Sequence, residues 1–356
     1  MIWPWASGAW SFLSRLLDRG TRVPRDAKQD SPKTHISHSS LQPQRPDHAS
    51  ESPSDQAQDL PEAAPTPKSP PCIRYVPVPG EWARKLHPTW PDSTFRVPDA
   101  VPEGHIYYVT KGDYVRRGAT ALVERLPSGH IAKTPLPNPY DLDEERRVRE
   151  QMEHEYNVYR FIGLSPFIPK LIDWDRESKT LVLGDQSNGD LETYLREHHD
   201  ADIDARHQWA LQASQALENL HSFGIIHQDV TPRNFLLDEN LNLYICDFAG
   251  SSFPGHIALT GAPGPRYQSR AWDPGYVPTE LDDIFGLGSV LYFIMCGEEP
   301  YGNLDEDEVK SRFEKSDFPA SNHLRHGEVI QSCWHGDFAD AKQVVQALVH
   351  ARQITS

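Results

Sequence analysis

The chain is poor in cysteine, and its cysteines lack the spacing of a disulfide framework or a zinc site. There are four in 356 residues: Cys72, Cys246, Cys296 and Cys333. Disulfide-stabilised secreted domains and structural zinc sites need paired or closely spaced cysteines. The sequence therefore predicts free thiols in a reducing compartment, and we expect a cytoplasmic protein.

Long apolar runs are also missing. A membrane-spanning helix needs about 20 consecutive apolar residues, so none is predicted. Residues 1–20 have neither the basic start nor the small-residue cleavage site of a secretory signal. Their tryptophans, leucines and arginines are compatible with a short interfacial anchor, whereas Pro4 and the short length favour a free or partner-docking tail. Both interpretations stay open, with residues 1–20 as the only expected membrane contact.

The basic excess that nucleic-acid binding proteins usually carry is absent as well. The formal net charge is -16, and residues 1–72 are balanced, with eight Lys or Arg and eight Asp or Glu. The acidic excess therefore belongs to the remainder of the chain. An acidic domain repels phosphate backbones at long range, so no nucleic-acid partner is expected.

Composition divides the chain into three parts. Residues 21–72 are rich in Pro, Ser, Asp and Gln and have few large apolar side chains, so they cannot bury enough surface to offset chain entropy. We expect a disordered N-terminal tail at 1–72. Aromatic residues among many prolines at 73–105 indicate an extended strap that lies on the domain that follows, at 106–352.

From His105 the sequence passes from strand patterns to helix patterns. Short alternating runs are IYYVT, YVRRG, TALVERL and HIAKT, with a hairpin signal at Pro127-Ser128-Gly129. A helix pattern ending at Gly163 and two more strands, LIDWD and TLVLGD, follow; after residue 190 the pattern is helical. A sheet-rich part followed by a helical part predicts an α+β fold.

The stretch IIHQDVTPRNFLLDENLNLYICDFAG, residues 225–250, carries the strongest chemical pattern. Asp229 and Asn234 are five positions apart. Two short apolar runs joined by Asp-Glu-Asn predict a hairpin that brings Asp247 opposite Asn234. Carboxylate and amide oxygens are the hard ligands that Mg²⁺ prefers. A carboxylate such as Asp229 can orient an attacking hydroxyl and accept its proton.

This stretch resembles the catalytic loop and the magnesium-binding D-F-G motif of the protein kinase superfamily. The style is similar to a divergent, fungal-type kinase-like domain with short loops. The resemblance implies a bilobal fold, with a β-rich N-lobe at 106–185 and a helical C-lobe at 186–352. It also implies ATP, Mg²⁺ and a protein substrate, with Asp229 acting on the acceptor hydroxyl and with Asn234 and Asp247 holding the metal.

The resemblance assigns further residues in the order that the family has them. Lys133 would hold the α- and β-phosphates, Glu155 would pair with Lys133, and Asp283 would support the backbone of the catalytic loop. Glu155 shares a helix face with apolar residues three, four and seven positions later, which predicts that it points inward. The other expected ATP contacts are Gly118 in the glycine loop, Val123 in the roof, Ala132, the hinge residues Asp185 and Gln186, and Leu236.

Several positions depart from the family pattern. The arginine before the catalytic aspartate is Gln228, so the family's phosphate switch on the activation segment is expected to be absent. The lysine two residues after the aspartate is Thr231, and Arg233 is a candidate to supply that charge instead. The D-F-G glycine is Ala249, and Ala271 stands at the place of a glutamate that normally pairs with a late arginine.

Three functions remain open on the sequence. The first is an active protein kinase, with serine or threonine favoured over tyrosine as the acceptor. The second is a pseudokinase that binds nucleotide or a partner without turnover, favoured by Thr231 and the thin glycine loop. The third is a phosphotransferase of the aminoglycoside or choline type, whose catalytic loops also lack the lysine.

Overall fold

The computed structural model describes residues 73–256, 263–270 and 275–355. The predictions for residues 1–72, including the anchor at 1–20, fall outside these residues, and so do Cys72 and Ala271. No helix in the described part of the chain is both long and apolar enough to cross a membrane.

The segment before the domain is more regular than the expected extended strap. It contains β1 (Arg74–Val78), α1 (Glu81–Leu86) and a 3-10 turn at Asp92–Phe95. β1 pairs in parallel with β2 (His105–Val109), and the Tyr75 hydroxyl donates to the carbonyl of Pro137 at 3.0 Å. The segment is therefore held against the first lobe by backbone and side-chain hydrogen bonds.

An antiparallel sheet forms the first lobe. Its strands are β3 (Asp113–Arg117), β4 (Ala121–Arg125), β5 (Ile131–Pro135), β6 (Leu171–Asp175) and β7 (Thr180–Leu183), in the spatial order β3-β4-β5-β7-β6. The strand patterns in the sequence correspond to these elements.

The helix α2 (Leu142–Ile162) packs against β5. The Asp141 side chain caps its first turn by accepting from the Glu144 amide, and Gly163 ends it with φ of 72°, which only glycine adopts without strain. Its buried face contains Glu155, Val158 and Tyr159, so the helix presents one carboxylate toward the sheet.

The second lobe is helical around a small β-hairpin. Its helices are α3 (Leu191–Glu197), α4 (Ile203–Ser222), α5 (Glu280–Cys296), α6 (Glu306–Phe313), α7 (Gly327–His335) and α8 (Ala341–Thr355); its strands are β8 (Phe235–Leu237) and β9 (Leu243–Ile245). The expected α+β class, with a sheet lobe before a helical lobe, is confirmed.

The central helix α5 organises this lobe. A capping box of Thr279 and Asp282 starts it, and Gly297 ends it in the left-handed conformation. It packs against α4 and α7, and a Cβ at Gly288 would lie 2.7 Å from the Cβ of Cys333 on α7. Because α5 is buried along most of its length, its first-turn carboxylate Asp283 lies deep in the lobe.

Candidate active site

A cleft of about 530 Å³ lies between the sheet and the helical lobe, within the usual size range of small-molecule sites. The turn between β3 and β4, together with β5, forms its roof. The catalytic-loop region and the residues after β9 form its floor. Most of the predicted site residues line it: Gly118, Val123, Lys133, Glu155, Asp229, Asn234, Leu236 and Asp247.

Strand register explains which roof residues face the cleft. Val123 on β4 is directly opposite Lys133 on β5, and residues opposite each other in an antiparallel pair share one face of the sheet. Ile131 shares that face and lines the cleft. Ala132 points to the other face, is fully buried and does not line the cleft, so the predicted Ala132 contact was placed one residue too far along the strand.

Lys133 is the centre of an ion-pair cluster. Its Nζ lies 2.7 Å from Glu155 Oε2 and 2.6 Å from Asp247 Oδ1. The Glu155 side chain is 1% exposed, whereas that of Asp247 is 40% exposed and faces the cleft. The three groups come from β5, α2 and the segment after β9, so the ammonium group joins the sheet, the helix and the floor of the site.

Burial and charge act in opposite directions on these groups. Burial would lower the pKa of Lys133, but the carboxylates of Asp247 and Glu155 outweigh it and raise that pKa, so the lysine stays protonated. Burial would raise the pKa of Asp247, but the Lys133 ammonium holds it below its usual value. At Glu155 burial prevails over Lys133 and raises the pKa to about 7.

The catalytic-loop carboxylate is oriented by its own loop. Asn234 Nδ2 donates to both the backbone oxygen and Oδ2 of Asp229, each at 2.8 Å. A 3-10 turn at Pro232–Asn234 folds the loop back, so that Asn234 reaches Asp229, five positions earlier in the chain. Arg233 Nη2 lies 3.5 Å from Asp229 Oδ1, a buried oxygen that accepts no hydrogen bond from the residues described and so retains the capacity to accept one.

The backbone of the loop is supported from α5. Asp283 accepts from the backbone amides of His227 at 2.7 Å and Gln228 at 2.8 Å, and it also lies 3.1 Å from His221 Nε2. Gln228 has φ of 68°, an unfavourable region for a residue with a side chain. The two hydrogen bonds to a buried carboxylate stabilise this bend, which presents Asp229 to the cleft.

The hairpin predicted from the sequence joins the two proposed metal ligands. β8 pairs with β9 from Phe235↔Ile245 onward, and the Cys246 amide donates to the Asn234 carbonyl at 2.9 Å. Asp247 follows with φ of 70°. Asn234 and Asp247 therefore lie on neighbouring strand ends at the floor of the cleft.

These two residues suit a magnesium ion. Because the amide nitrogen of Asn234 is committed to Asp229, its oxygen is directed away from Asp229. One Asp247 oxygen is held by Lys133, which leaves the other for a ligand. No cluster of three or more His, Cys, Asp or Glu in metal-binding geometry occurs among the residues described. Two protein oxygens, completed by phosphate and water, is the usual arrangement for Mg²⁺.

A sequence profile of the protein kinase domain matches residues 140–352, more than half of the chain. The chain belongs to the protein kinase family. The matched range begins after β5, so the roof strands and Lys133 lie before it.

Related kinases match over parts of their length. The serine/threonine-protein kinase PDK1 of Cryptococcus neoformans is 32% identical over 36% of this chain and 11% of its own length. The SNF1-like protein kinase ssp2 of Schizosaccharomyces pombe is 27% identical over 61% of this chain and 38% of its own. A probable cAMP-dependent protein kinase catalytic subunit of Encephalitozoon cuniculi is 25% identical over 46% of this chain and 52% of its own. The chain thus spans about half or less of these relatives.

The predicted hinge residues are placed differently from the rest of the kinase site. Neither Asp185 nor Gln186 lines the cleft, whereas Leu183, just before them, does. The Asp185 carboxylate pairs with Arg125 Nη2 at 2.9 Å, and Gln186 lines a separate surface cavity. The expected contact of their backbone groups with adenine stays a prediction.

Two glutamines beside the catalytic loop form a neutral region of the site. Gln151, on α2, and Gln228 are 1% and 3% exposed and line the cleft, and the amide atoms of both have no hydrogen-bond partner among the residues described. Within the same part of the chain, Thr231 Oγ1 is also buried without a partner. Gln151 was missed by the sequence analysis, although its position one helical turn before Glu155 places it on the same face of α2.

Proposed function

We propose that this kinase transfers the γ-phosphate of ATP to a protein hydroxyl, serine or threonine rather than tyrosine. The observation that carries the proposal is the double ion pair of Lys133 with Glu155 and Asp247, beside an Asp229 held by Asn234. Phosphoryl transfer depends mainly on positioning and on charge stabilisation, and this cluster supplies both.

Each residue has one role in the proposed mechanism. Lys133, held in place by Glu155, offers its ammonium group to the phosphates. Asn234 and Asp247 would hold Mg²⁺, which supplies charge neutralisation when it is bound. Asp229 orients the acceptor hydroxyl and accepts its proton at the carboxylate oxygen that lies near Arg233. Arg233 is available to balance charge where Thr231 replaces the expected lysine.

The relatives support the acceptor class. The Cryptococcus protein named above is a serine/threonine-protein kinase. A protein substrate is proposed on this ground and on the family alone. The described cysteines Cys246, Cys296 and Cys333 are free thiols, which supports a reducing compartment such as the cytoplasm.

A pseudokinase is the second candidate, favoured by the neutral region of the site. Thr231 and Gln228 stand where the family has cations, and Asp185 and Gln186 do not line the cleft. Such a protein would bind nucleotide or a partner protein without transferring phosphate.

Transfer of labelled phosphate from magnesium-ATP to generic protein acceptors separates these candidates. We expect the wild type to transfer phosphate, and Asp229→Asn to reduce the rate at least 100-fold, because general-base catalysis contributes about 10²–10⁴. The matched control is Asp200→Asn, at an exposed aspartate, which should have no effect. Nucleotide binding without transfer would establish the pseudokinase, and transfer only to aminoglycosides or choline would establish a small-molecule phosphotransferase.

A further inference from the structure

Arg116, near the end of β3, faces the cleft because of an irregularity in strand pairing. Tyr114 is opposite Glu124, but two residues later Arg116 is opposite Val123 rather than Leu122. One extra residue has therefore been inserted in β3. Such bulges change the direction of the side chains that follow, and they are frequent next to active sites.

The shifted register brings two cations to one face of the sheet. Arg116, Val123 and Lys133 are directly opposite one another in neighbouring strands, so their side chains share the face that covers the cleft. All three line the cleft. Arg117, the next residue on β3, is opposite Leu122, and its guanidinium lies 5.1 Å from the centre of the Tyr75 ring.

The only charged partner found for Arg116 among the described residues is loosely held. Arg116 Nη1 lies 3.4 Å from Asp190 Oδ2, and the arginine side chain is 43% exposed. Asp190 already caps α3: its Oδ1 accepts from the Thr193 amide at 2.9 Å, and its Oδ2 accepts from the Thr193 hydroxyl at 3.1 Å. The guanidinium can therefore leave Asp190 without leaving a buried carboxylate unsatisfied.

Two of the other cations that line the cleft are more firmly committed. Lys133 bonds two carboxylates and Arg117 lies against Tyr75, whereas Arg233, 3.5 Å from Asp229 Oδ1, is held no more closely than Arg116. An arginine with spare donors thus faces the space where a nucleotide would lie.

We propose that Arg116 is a specificity-determining residue that binds the phosphates of the nucleotide from the roof of the cleft and exchanges Asp190 for them. This inference rests on the proposed nucleotide binding. A guanidinium suits the task, because it forms bidentate, charge-assisted hydrogen bonds with phosphate oxygens. Arg116 would provide a cation from the roof of the cleft, in a site whose catalytic loop has Thr231 in place of the family's lysine.

Calorimetric titration of the full chain with magnesium-ATP and with adenosine tests the proposal, because adenosine lacks the phosphates. We expect Arg116→Ala to weaken ATP binding about tenfold, the effect of losing one charge-assisted hydrogen bond, and to leave adenosine binding within about twofold. The matched control Arg176→Ala removes the same charge at an exposed position outside the cleft, and it should change neither affinity more than about twofold.

A second variant separates a phosphate contact from a simple link between the lobes. Asp190→Asn keeps a good helix cap but removes the competing charge. The preference for ATP over adenosine should then rise, whereas it should fall in Arg116→Ala. Equal loss of ATP and adenosine binding in Arg116→Ala, or the same lowered preference in both variants, would overturn the proposal. A wild type that binds neither ligand would instead refute nucleotide binding, and the inference with it.

Discussion

The two sides of the catalytic loop differ in how their polar groups are satisfied. On the side of the sheet, Lys133, Glu155 and Asp247 form close ion pairs, and Asp283 beneath the loop bonds two backbone amides. Elsewhere in the site, Gln151 and Gln228 form a neutral side: both are buried, and their four amide atoms have no hydrogen-bond partner among the residues described. One side is charged and held by ion pairs, and the other is neutral and unpaired.

The difference follows from the cost of burying unpaired groups. An isolated buried charge costs far more than an isolated buried amide, so ionised groups persist in a core only when they are paired. Under the proposed function, the charged side places phosphates and metal. The neutral side offers a phosphate dianion amide groups but no cation. The absence of the family's usual electrostatic switch therefore stays a prediction.

The largest effect is expected on the charged side. Lys133→Met should reduce phosphoryl transfer at least 100-fold, because loss of one pre-placed charge typically costs a few kcal/mol of transition-state stabilisation. Circular dichroism should show the fold intact. The matched control is Lys310→Met, at an exposed lysine on α6, which should transfer phosphate at the wild-type rate. An unchanged rate in Lys133→Met would show that the ion-pair cluster is structural only.

Asp283→Ala tests the support beneath the loop. It leaves the amides of His227 and Gln228 buried without an acceptor, and we expect the free energy of unfolding to fall by about 2 kcal/mol. Urea denaturation measures it, with Asp337→Ala as the control at an exposed aspartate. If both variants unfold at the same urea concentration, the two hydrogen bonds contribute nothing net, and the charged side is less tightly built than its geometry indicates.

Much of the charged side could be predicted from the sequence, because fixed spacings determine it. The hairpin before Asp247 and the inward face of α2 follow from local patterns, whereas the meaning of the spacing between Asp229 and Asn234 comes from the resemblance to the kinase family. Ala132 shows the limit: Lys133 lines the cleft and Ala132 does not, because successive residues of a strand face opposite sides and an error of one position reverses the assignment.

The remaining features depend on contacts between distant segments, which local patterns do not encode. The β3 bulge that directs Arg116 into the cleft is visible only when β3 is paired with β4. Asp185 and Gln186 lie outside the lining of the cleft: Asp185 pairs with Arg125, and Gln186 lines a separate cavity. The neutral region needs both Gln151 and Gln228, 77 positions apart in the chain, to be seen in one cavity.

A smaller effect, of opposite sign, is expected on the neutral side. Gln228→Met replaces an unpaired buried amide by an apolar side chain of similar length, so the free energy of unfolding should rise by about 1 kcal/mol. The matched control is Gln331→Met, because Gln331 donates to Pro319 O at 2.8 Å and Ser321 Oγ at 3.0 Å and should destabilise when replaced. Equal destabilisation by both would mean that the Gln228 amide is satisfied in solution.

The last prediction concerns regulation, and the expected result is an unchanged rate of phosphate transfer. Treatment of the purified kinase with a broad-specificity phosphatase should leave the rate of transfer within about twofold, because neutral amides form weaker hydrogen bonds with a phosphate than cations do. The measurement compares treated and mock-treated enzyme, with phosphate removal verified by mass spectrometry. Gln228→Met, treated in the same way, is the matched control and should respond as the wild type does.

Strong inactivation of the wild type, reversed by phosphorylating a residue within 250–270, would show that cations elsewhere in the fold bind the phosphate. The phosphate switch would then be present in this kinase and would act through groups other than Gln151 and Gln228.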